Sequence, residues 1–234
     1  MITVKIADHV FSIDTTYLPI RALFRDYLTP EPPEFTLSVS PEEIRAERPD
    51  GAPESLSQQE RLAIYRKLCE ALLADDILLF HSSALAMDGK AILFAAPSGT
   101  GKSTHARLWR ECFGGRVTMI NDDKPLLKVR EDAVTVYGTP YAGKEGLHAN
   151  ASAPVAAIVL LRQGPENLIK PLSPGEAFPR LLDQAYRPRD GAKLARTLPL
   201  VRRLASLPVY ALECTISRAA AELVHTTLLK EGIL

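Results

Sequence analysis

The stretch "FAAPSGTGKSTHARLW" (residues 94–109) decides how this chain is read. It follows the pattern G-x-x-x-x-G-K-[ST] except at the first glycine, where Ala96 stands. A phosphate chain needs many N–H donors close together, and glycines let the backbone approach without a side chain intervening. Pro97, Ser98, Gly99, Thr100, Gly101, Lys102, Ser103 and Thr104 are therefore the candidate phosphate-binding residues. Lys102 has the reach for the outer phosphates, and Ser103 can offer its hydroxyl to Mg²⁺. A helix beginning at Lys102 points the positive end of its dipole at the anion. The strand "KAILFA" precedes the loop and the helix is expected from Lys102 to Cys112, which is the order the motif requires. Alanine is tolerated at position 96 if its φ is negative, with Gly99 and Gly101 supplying the unusual backbone.

Working outward, "VTMINDDKPLL" places Asp122 and Asp123 at the end of an apolar strand, twenty residues after Lys102. Such proteins put a carboxylate beside Mg²⁺ at this point. One carboxylate can hold the metal while the other accepts a proton from an attacking hydroxyl. An Asn-Asp turn joining two strands accounts for the same letters. His81 stands just before the hairpin that delivers the loop and is a candidate to orient a phosphate or a catalytic carboxylate. His105, in the first turn after the loop, reads as helix surface. In "GTPYAGKEGLHAN" (residues 138–150), Lys144 is a candidate to meet a phosphate and Glu145 to complete a Mg²⁺ shell. A surface loop with a local ion pair explains that segment equally well. Arg187 and Arg189 in "YRPRDGAK" can bind the phosphate tail or an acidic acceptor, or form a solvated basic face.

The rest of the chain supplies strands and helices around these motifs. "ITVKIA", "HVFSID" and "FTLSVS" alternate in the strand period. "TPEPPEF" and "ERPDGAPES" read as loops, and Ser57 with Glu60 as the capping box of a helix ending near Asp75. Tyr65, Leu68, Cys69, Leu72 and Leu73 form its apolar stripe. "ILLF", "SALAM" and "KAILFAA" read as strands, the last two joined by an Asp88-Gly89 hairpin. "RVTMI", "PLLKVR", "AVTVYG", "VAAIVLL" and "PVYALECTI" are further strands. "SPGEAFPRLLDQAY" and "LARTLPLVRRLA" are helices, and Ser217 is expected to cap a last one. Hairpins beside the loop imply a mixed sheet.

The 234 residues suit one sizeable domain with an accessory lobe, at 46% hydrophobic and 24% charged. Charge balances, with 28 basic and 28 acidic residues, so no overall field favours nucleic acid or an anionic membrane. Eight acidic against two basic residues fall in positions 31–60, and seven basic against three acidic in 176–203, which makes the C-terminal third the better place for an acidic ligand. Three scattered cysteines make neither a metal site nor a disulfide framework, and the longest apolar run, "APVAAIVLL", is too short to span a bilayer. The expectation is a cytoplasmic protein with no nucleic-acid or membrane partner, and nothing in the sequence excludes a homo-oligomer.

Taken together, "FHSSALAMDGKAILFAAPSGTGKST" and "INDDKPLL" resemble the catalytic domain of HPr kinase/phosphorylase, which shares its fold with ATP-dependent phosphoenolpyruvate carboxykinase. "YRKLCEALL", "KSTHARLW", "NDDKP", "GTPYAGKEG" and "APVAAIVLL" more closely resemble a group of bacterial HPr-kinase-like proteins of mostly unassigned substrate. The resemblance implies an α/β fold: a mixed-sheet P-loop kinase core over residues 76–234, preceded by a small α+β lobe over 1–75. It implies ATP and Mg²⁺ as cofactors, His81 and the Asp122–Asp123 pair as catalytic groups with Lys102, and Ser103, Asp123 and Glu145 at the metal. Asp123 is the firmer of the pair in the closer group. The "EIRG"-type signature of HPr kinase is not reproduced around Glu145. The implied reaction is transfer of the γ-phosphoryl group to a hydroxyl, that of a serine in a peptide or small protein encoded nearby. A small-metabolite kinase and a nucleotide-binding regulatory or maturation protein without turnover are the alternatives. Nucleotide binding without ADP production, over a broad set of acceptors, distinguishes the last from the enzymes.

Overall fold

Alternating apolar residues at the start of the chain form a hairpin, β1 (Ile2–Ile6) and β2 (His9–Ile13), closed by Ala7 and Asp8 at φ 50° and 70°. The computed structural model describes residues 1–17, 19–47 and 55–234, so the loop expected over "ERPDGAPES" lies mostly outside the described residues. The chain divides into two units, Met1–Ala74 and Asp75–Leu234.

In the first unit, helix α1 (Ile20–Leu23) follows the hairpin and β3 (Phe35–Leu37) pairs parallel to β2. Ser40 and Glu43 form a capping box for α2 (Pro41–Ala46). Helix α3 (Leu56–Leu72) starts two residues earlier than the sequence suggests, because Ser55 and Gln58, not Ser57 and Glu60, exchange the reciprocal cap bonds. Glu60 acts elsewhere. Its carboxylate, on a residue 1% exposed, accepts the backbone N–H groups of Thr16 at 2.6 Å and Tyr17 at 2.7 Å. A buried carboxylate is tolerated when its lone pairs are met in this way. Tyr65, Leu68, Cys69 and Leu72 are buried along α3, with Leu73 just beyond it, as their spacing requires.

The second unit is built on a nine-stranded mixed sheet. Its strands are β4 (Ile77–Leu79), β5 (Ser82–Met87), β6 (Lys90–Ala95), β7 (Val117–Asn121), β8 (Leu126–Val129), β9 (Val134–Tyr137), β10 (Ser152–Gln163), β11 (Leu168–Pro171) and β12 (Val209–Cys214). The order is β4-β8-β9-β10-β6-β5-β7, with β12 against β10 and β11 against β12. β10 is the pivot. Its first residues pair antiparallel to β9, and from Val155 onward it runs parallel to β6 and then β12. Asp88 (φ 51°) and Gly89 (φ 82°) close the β5–β6 hairpin. β11 is a strand the sequence does not announce: four residues, none of them buried, carry too little periodicity to read.

Four helices complete the unit: α4 (Lys102–Phe113), α5 (Pro174–Gln184), α6 (Gly191–Ala205) and α7 (Arg218–Lys230). α4 and α7 cover one sheet face through Ala106, Trp109, Ala221 and Val224, packed on Ile92, Phe94, Val159 and Leu212. Each large apolar side chain buried there contributes about 1.5–3 kcal/mol. Ser217 occupies the N-cap of α7 without bonding its backbone; its hydroxyl instead meets Asn167 and Thr215.

His105 belongs to this core and not to the helix surface. Side chains on a helix lean toward its N-terminus, so His105 and Trp109 stack on one face. His105 is 3% exposed, its Nε2 accepts the Trp109 indole N–H at 3.2 Å, and its ring meets Phe94 edge-on at 4.6 Å. Burial lowers its pKa to about 4. The unfolded chain takes up this proton near pH ~6.5. Stability from the neutral ring is therefore complete above that pH and is lost as pH falls from 6.5 to 4, by about 3 kcal/mol. Urea unfolding of the wild type and His105→Gln at pH 7 and 4.5 checks this. The variant should lose much less stability on acidification; equal losses would show that the ring is not held neutral.

Candidate active site

Strand directions bring the candidate groups to one edge of the sheet. β6, β7, β10 and β12 all end there, and β5, antiparallel to β6 and β7, begins there. The glycine loop therefore leaves β6 next to His81, which precedes β5, and close to Asp122 and Asp123, which follow β7.

In the loop, positive φ falls on Gly99 (80°) and Gly101 (110°) and not on Ala96. Ala96 is buried, while Pro97, Ser98, Gly99 and Ser103 are exposed and Thr100 and Thr104 half-buried. Gln163 at the end of β10 holds the loop by donating its amide to the Thr100 carbonyl at 3.1 Å. Gly101 is the N-cap of α4 and has no side chain to cap it. The first intrahelical bond is from His105 N–H to Gly101, so the N–H groups of Lys102, Ser103 and Thr104 are left for an anion by helix geometry. The Lys102 ammonium, on a residue 7% exposed, lies back over the loop, 2.8 Å from the Ala96 carbonyl and 3.5 Å from that of Pro97. Burial lowers its pKa, and the charge of Asp123 opposes this.

The Asn-Asp turn joining two strands is present, between β7 and β8. Asn121 is fully buried and ties the segment down: its Nδ2 donates to the Thr139 carbonyl at 3.0 Å, and its Oδ1 accepts the N–H groups of Asp123 at 2.9 Å and Lys124 at 2.6 Å. This turn sends the two aspartates into opposite surroundings. Asp122 is 3% exposed, and its carboxylate accepts Gly143 N–H at 2.5 Å and Leu147 N–H at 3.5 Å. A Cβ on Gly143 would lie 3.3 Å from Asp122 Oδ2 and from Asp123 Cβ, so glycine lets the 138–150 segment close on the turn. Asp122 is thus a clamp on that segment.

Asp123 is instead partly open and lies 3.1 Å from His81 Nε2 and 3.7 Å from Lys124 Nζ. Burial pushes its carboxyl up, but the His81 hydrogen bond and the charges of Lys124, His81 and Lys102 outweigh this and hold it below the ordinary carboxylate value. His81 is itself fixed by its backbone N–H, which donates to the Gln184 carbonyl at 2.8 Å. The structural part of Asn121 is not legible from the candidate-residue reading, although the N-D-D turn composition is its visible sign.

The remaining candidates do not join this group. Glu145, expected at a metal, is exposed and its carboxylate pairs with Arg110 of α4 at 3.4 Å. Lys144 and Arg189 are exposed, and Arg187 pairs with Asp183 at 3.5 Å. Among the described residues, no cluster of three His, Cys, Asp or Glu is placed to hold a metal unaided. None of the described helices is long and apolar enough to cross a membrane.

No curated protein matches the chain. Among solved structures it is similar to the Hpr(Ser) kinase/phosphatase from Coxiella burnetii, at 13% identity and a TM-score of 0.41, over 66% of this chain and 90% of that one. At that identity and TM-score it does not make the chain a member of the HPr kinase family. The family model that matches does so over residues 55–228 and is described as SynChlorMet cassette protein ScmC. The match takes in the glycine loop, the Asn121–Asp123 turn and all nine strands of the large sheet, and the chain belongs to the ScmC family.

Proposed function

We propose that this protein is a Mg-ATP-dependent phosphotransferase that moves the γ-phosphoryl group to a hydroxyl, that of a serine in a peptide or small protein. The observation that supports it best is the Asp123–His81 pair on the same sheet edge as an uncapped helix N-terminus and a buried lysine that feels the charge of Asp123. The donor set fits a nucleotide: free loop and helix N–H groups and Lys102 for phosphate oxygens, and the exposed Ser103 hydroxyl as the group that would hold Mg²⁺. Mg²⁺ bound with ATP supplies charge neutralisation at the phosphates.

Within this frame the protein's own groups position and polarise. Lys102 and the loop amides hold the phosphates as charge shifts toward the leaving oxygen. Asp123 is ionised at neutral pH, and His81 fixes its orientation. The acceptor oxygen bonds to the γ-phosphorus as the bond to the β-bridging oxygen breaks. The acceptor proton passes to Asp123, and ADP departs. Asp122, 3% exposed and bonded to two backbone N–H groups, is assigned to holding the 138–150 segment and not to this step.

The family description names a cassette, so the products of neighbouring genes are the acceptors to test. Incubation with those products and γ-labelled Mg-ATP should place label on a serine of one of them. Nucleotide binding without ADP formation, across all of them and a set of small hydroxyl compounds, would overturn the reading in favour of a regulator that does not turn over.

A further inference from the structure

A cavity of about 530 Å³ opens beside the glycine loop. Successive residues of a strand face opposite sides. Phe94, Val159 and Tyr210 lie in the core under α4 and α7, so their neighbours Ala95, Leu160 and Ala211 face the other side, where they line the cavity. These three stand in register, Ala95 opposite Leu160 and Leu160 opposite Ala211. Two alanines flanking a leucine give a low, apolar floor across three strands. Pro97 and Thr100 of the loop form one margin, and Arg180, Asp183 and Gln184 of α5 another.

Gln184 brings an amide to the wall of this hollow. It is 8% exposed and lines the cavity, and its side-chain amide has no hydrogen-bond partner among the described residues. The amide is open to the cavity, and it presents a donor and an acceptor side by side. Its backbone is held in place by the bond from His81 N–H. A ligand edge that also presents an acceptor beside a donor would satisfy it.

Position identifies that ligand. The Asp123–His81 pair belongs to β7 and β5, on one side of β6, while the cavity extends over β10 and β12 on the other. A triphosphate held by the loop with its γ end toward Asp123 sends its nucleoside end toward β10 and β12. We infer that the cavity is the nucleoside subsite of the donor nucleotide, with the base lying over Leu160 between Ala95 and Ala211 and the Gln184 amide reading its edge. This inference rests on the reading of the loop as a triphosphate site. A flat heteroaromatic ring suits the apolar floor, with Gln184 and the charged Arg162, Lys170, Arg180, Asp183 and Glu213 around it.

Calorimetric titration of the full chain with Mg-ATP, Mg-GTP and magnesium tripolyphosphate tests it. Ala211→Phe fills the floor from a partly exposed position and should weaken ATP at least about tenfold while tripolyphosphate changes less than about twofold. Gln184→Leu should bring the ATP and GTP affinities together with tripolyphosphate again unaffected. Unchanged ATP affinity in Ala211→Phe, or an unchanged ATP/GTP ratio in Gln184→Leu, overturns the subsite, as does wild-type protein that binds tripolyphosphate as tightly as ATP. If Ala211→Phe loses both ligands, the Gln184→Leu ratio decides. Failure of the loop reading looks different: wild-type protein binds neither ligand, or Lys102→Ala binds both as well as the wild type.

Discussion

Asp123→Asn is expected to lower phosphoryl transfer about 10³-fold while Mg-ATP affinity stays within a few-fold. Asparagine keeps the size and one acceptor oxygen of the side chain but cannot take a proton. The Asp123 carboxylate is bonded to His81 at 3.1 Å and held ionised by the positive groups around it, so in the proposed reaction it is the acceptor for the substrate proton. Turnover and calorimetric affinity measured on the same preparation separate the two effects. Transfer that persists within a few-fold would make the carboxylate structural. The neighbouring substitution supplies a contrast. In Asp122→Asn the amide cannot accept as strongly from both Gly143 and Leu147 N–H groups. A buried unmet N–H costs about 1–3 kcal/mol, so this variant should unfold at lower urea concentration. The two adjacent aspartates should therefore fail in different assays, and equal loss of stability in both would remove the distinction.

Lys102→Ala is expected to weaken Mg-ATP binding and turnover together, by about 10²–10³-fold in kcat/KM. The ammonium is buried, sits 2.8 Å from the Ala96 carbonyl and is electrostatically coupled to Asp123. Swinging from the loop carbonyls to phosphate oxygens would exchange neutral acceptors for anionic ones and add the attraction of opposite charges. Nucleotide affinity and activity equal to the wild type would remove the loop from the mechanism. Because Lys102 also ties its own loop, thermal unfolding of the variant is measured alongside; loss of folding at assay temperature would assign the effect to the tie.

How much of this can be read in the letters depends on range. Elements whose determinants lie within a few residues are legible: the β5–β6 hairpin from Asp88-Gly89, the loop and the start of α4 from Gly99, Gly101 and Lys102, and β7 from its apolar run. The sequence places the α3 cap two residues late, because Ser55 and Ser57 are both competent caps and local chemistry does not choose between them. His105 misleads for a related reason. Its polarity suggests solvent, while the core under α4 holds an indole N–H and an aromatic edge that its neutral ring can satisfy.

The order strand, glycine loop, helix, together with a carboxylate pair after the next strand, was determined by sequence alone, since backbone freedom and hydrophobic period are properties of neighbouring residues. Only the tertiary structure decided which aspartate is open and which is a clamp, because that depends on Gly143 and Leu147, more than twenty residues away. It likewise turned Glu145 toward Arg110 across 35 residues, and it made a cavity from strands β6, β10 and β12 and the end of α5. These outcomes follow from strand pairing and helix packing over long separations, where burial and the need to satisfy each polar group set the partners. No local pattern carries that information.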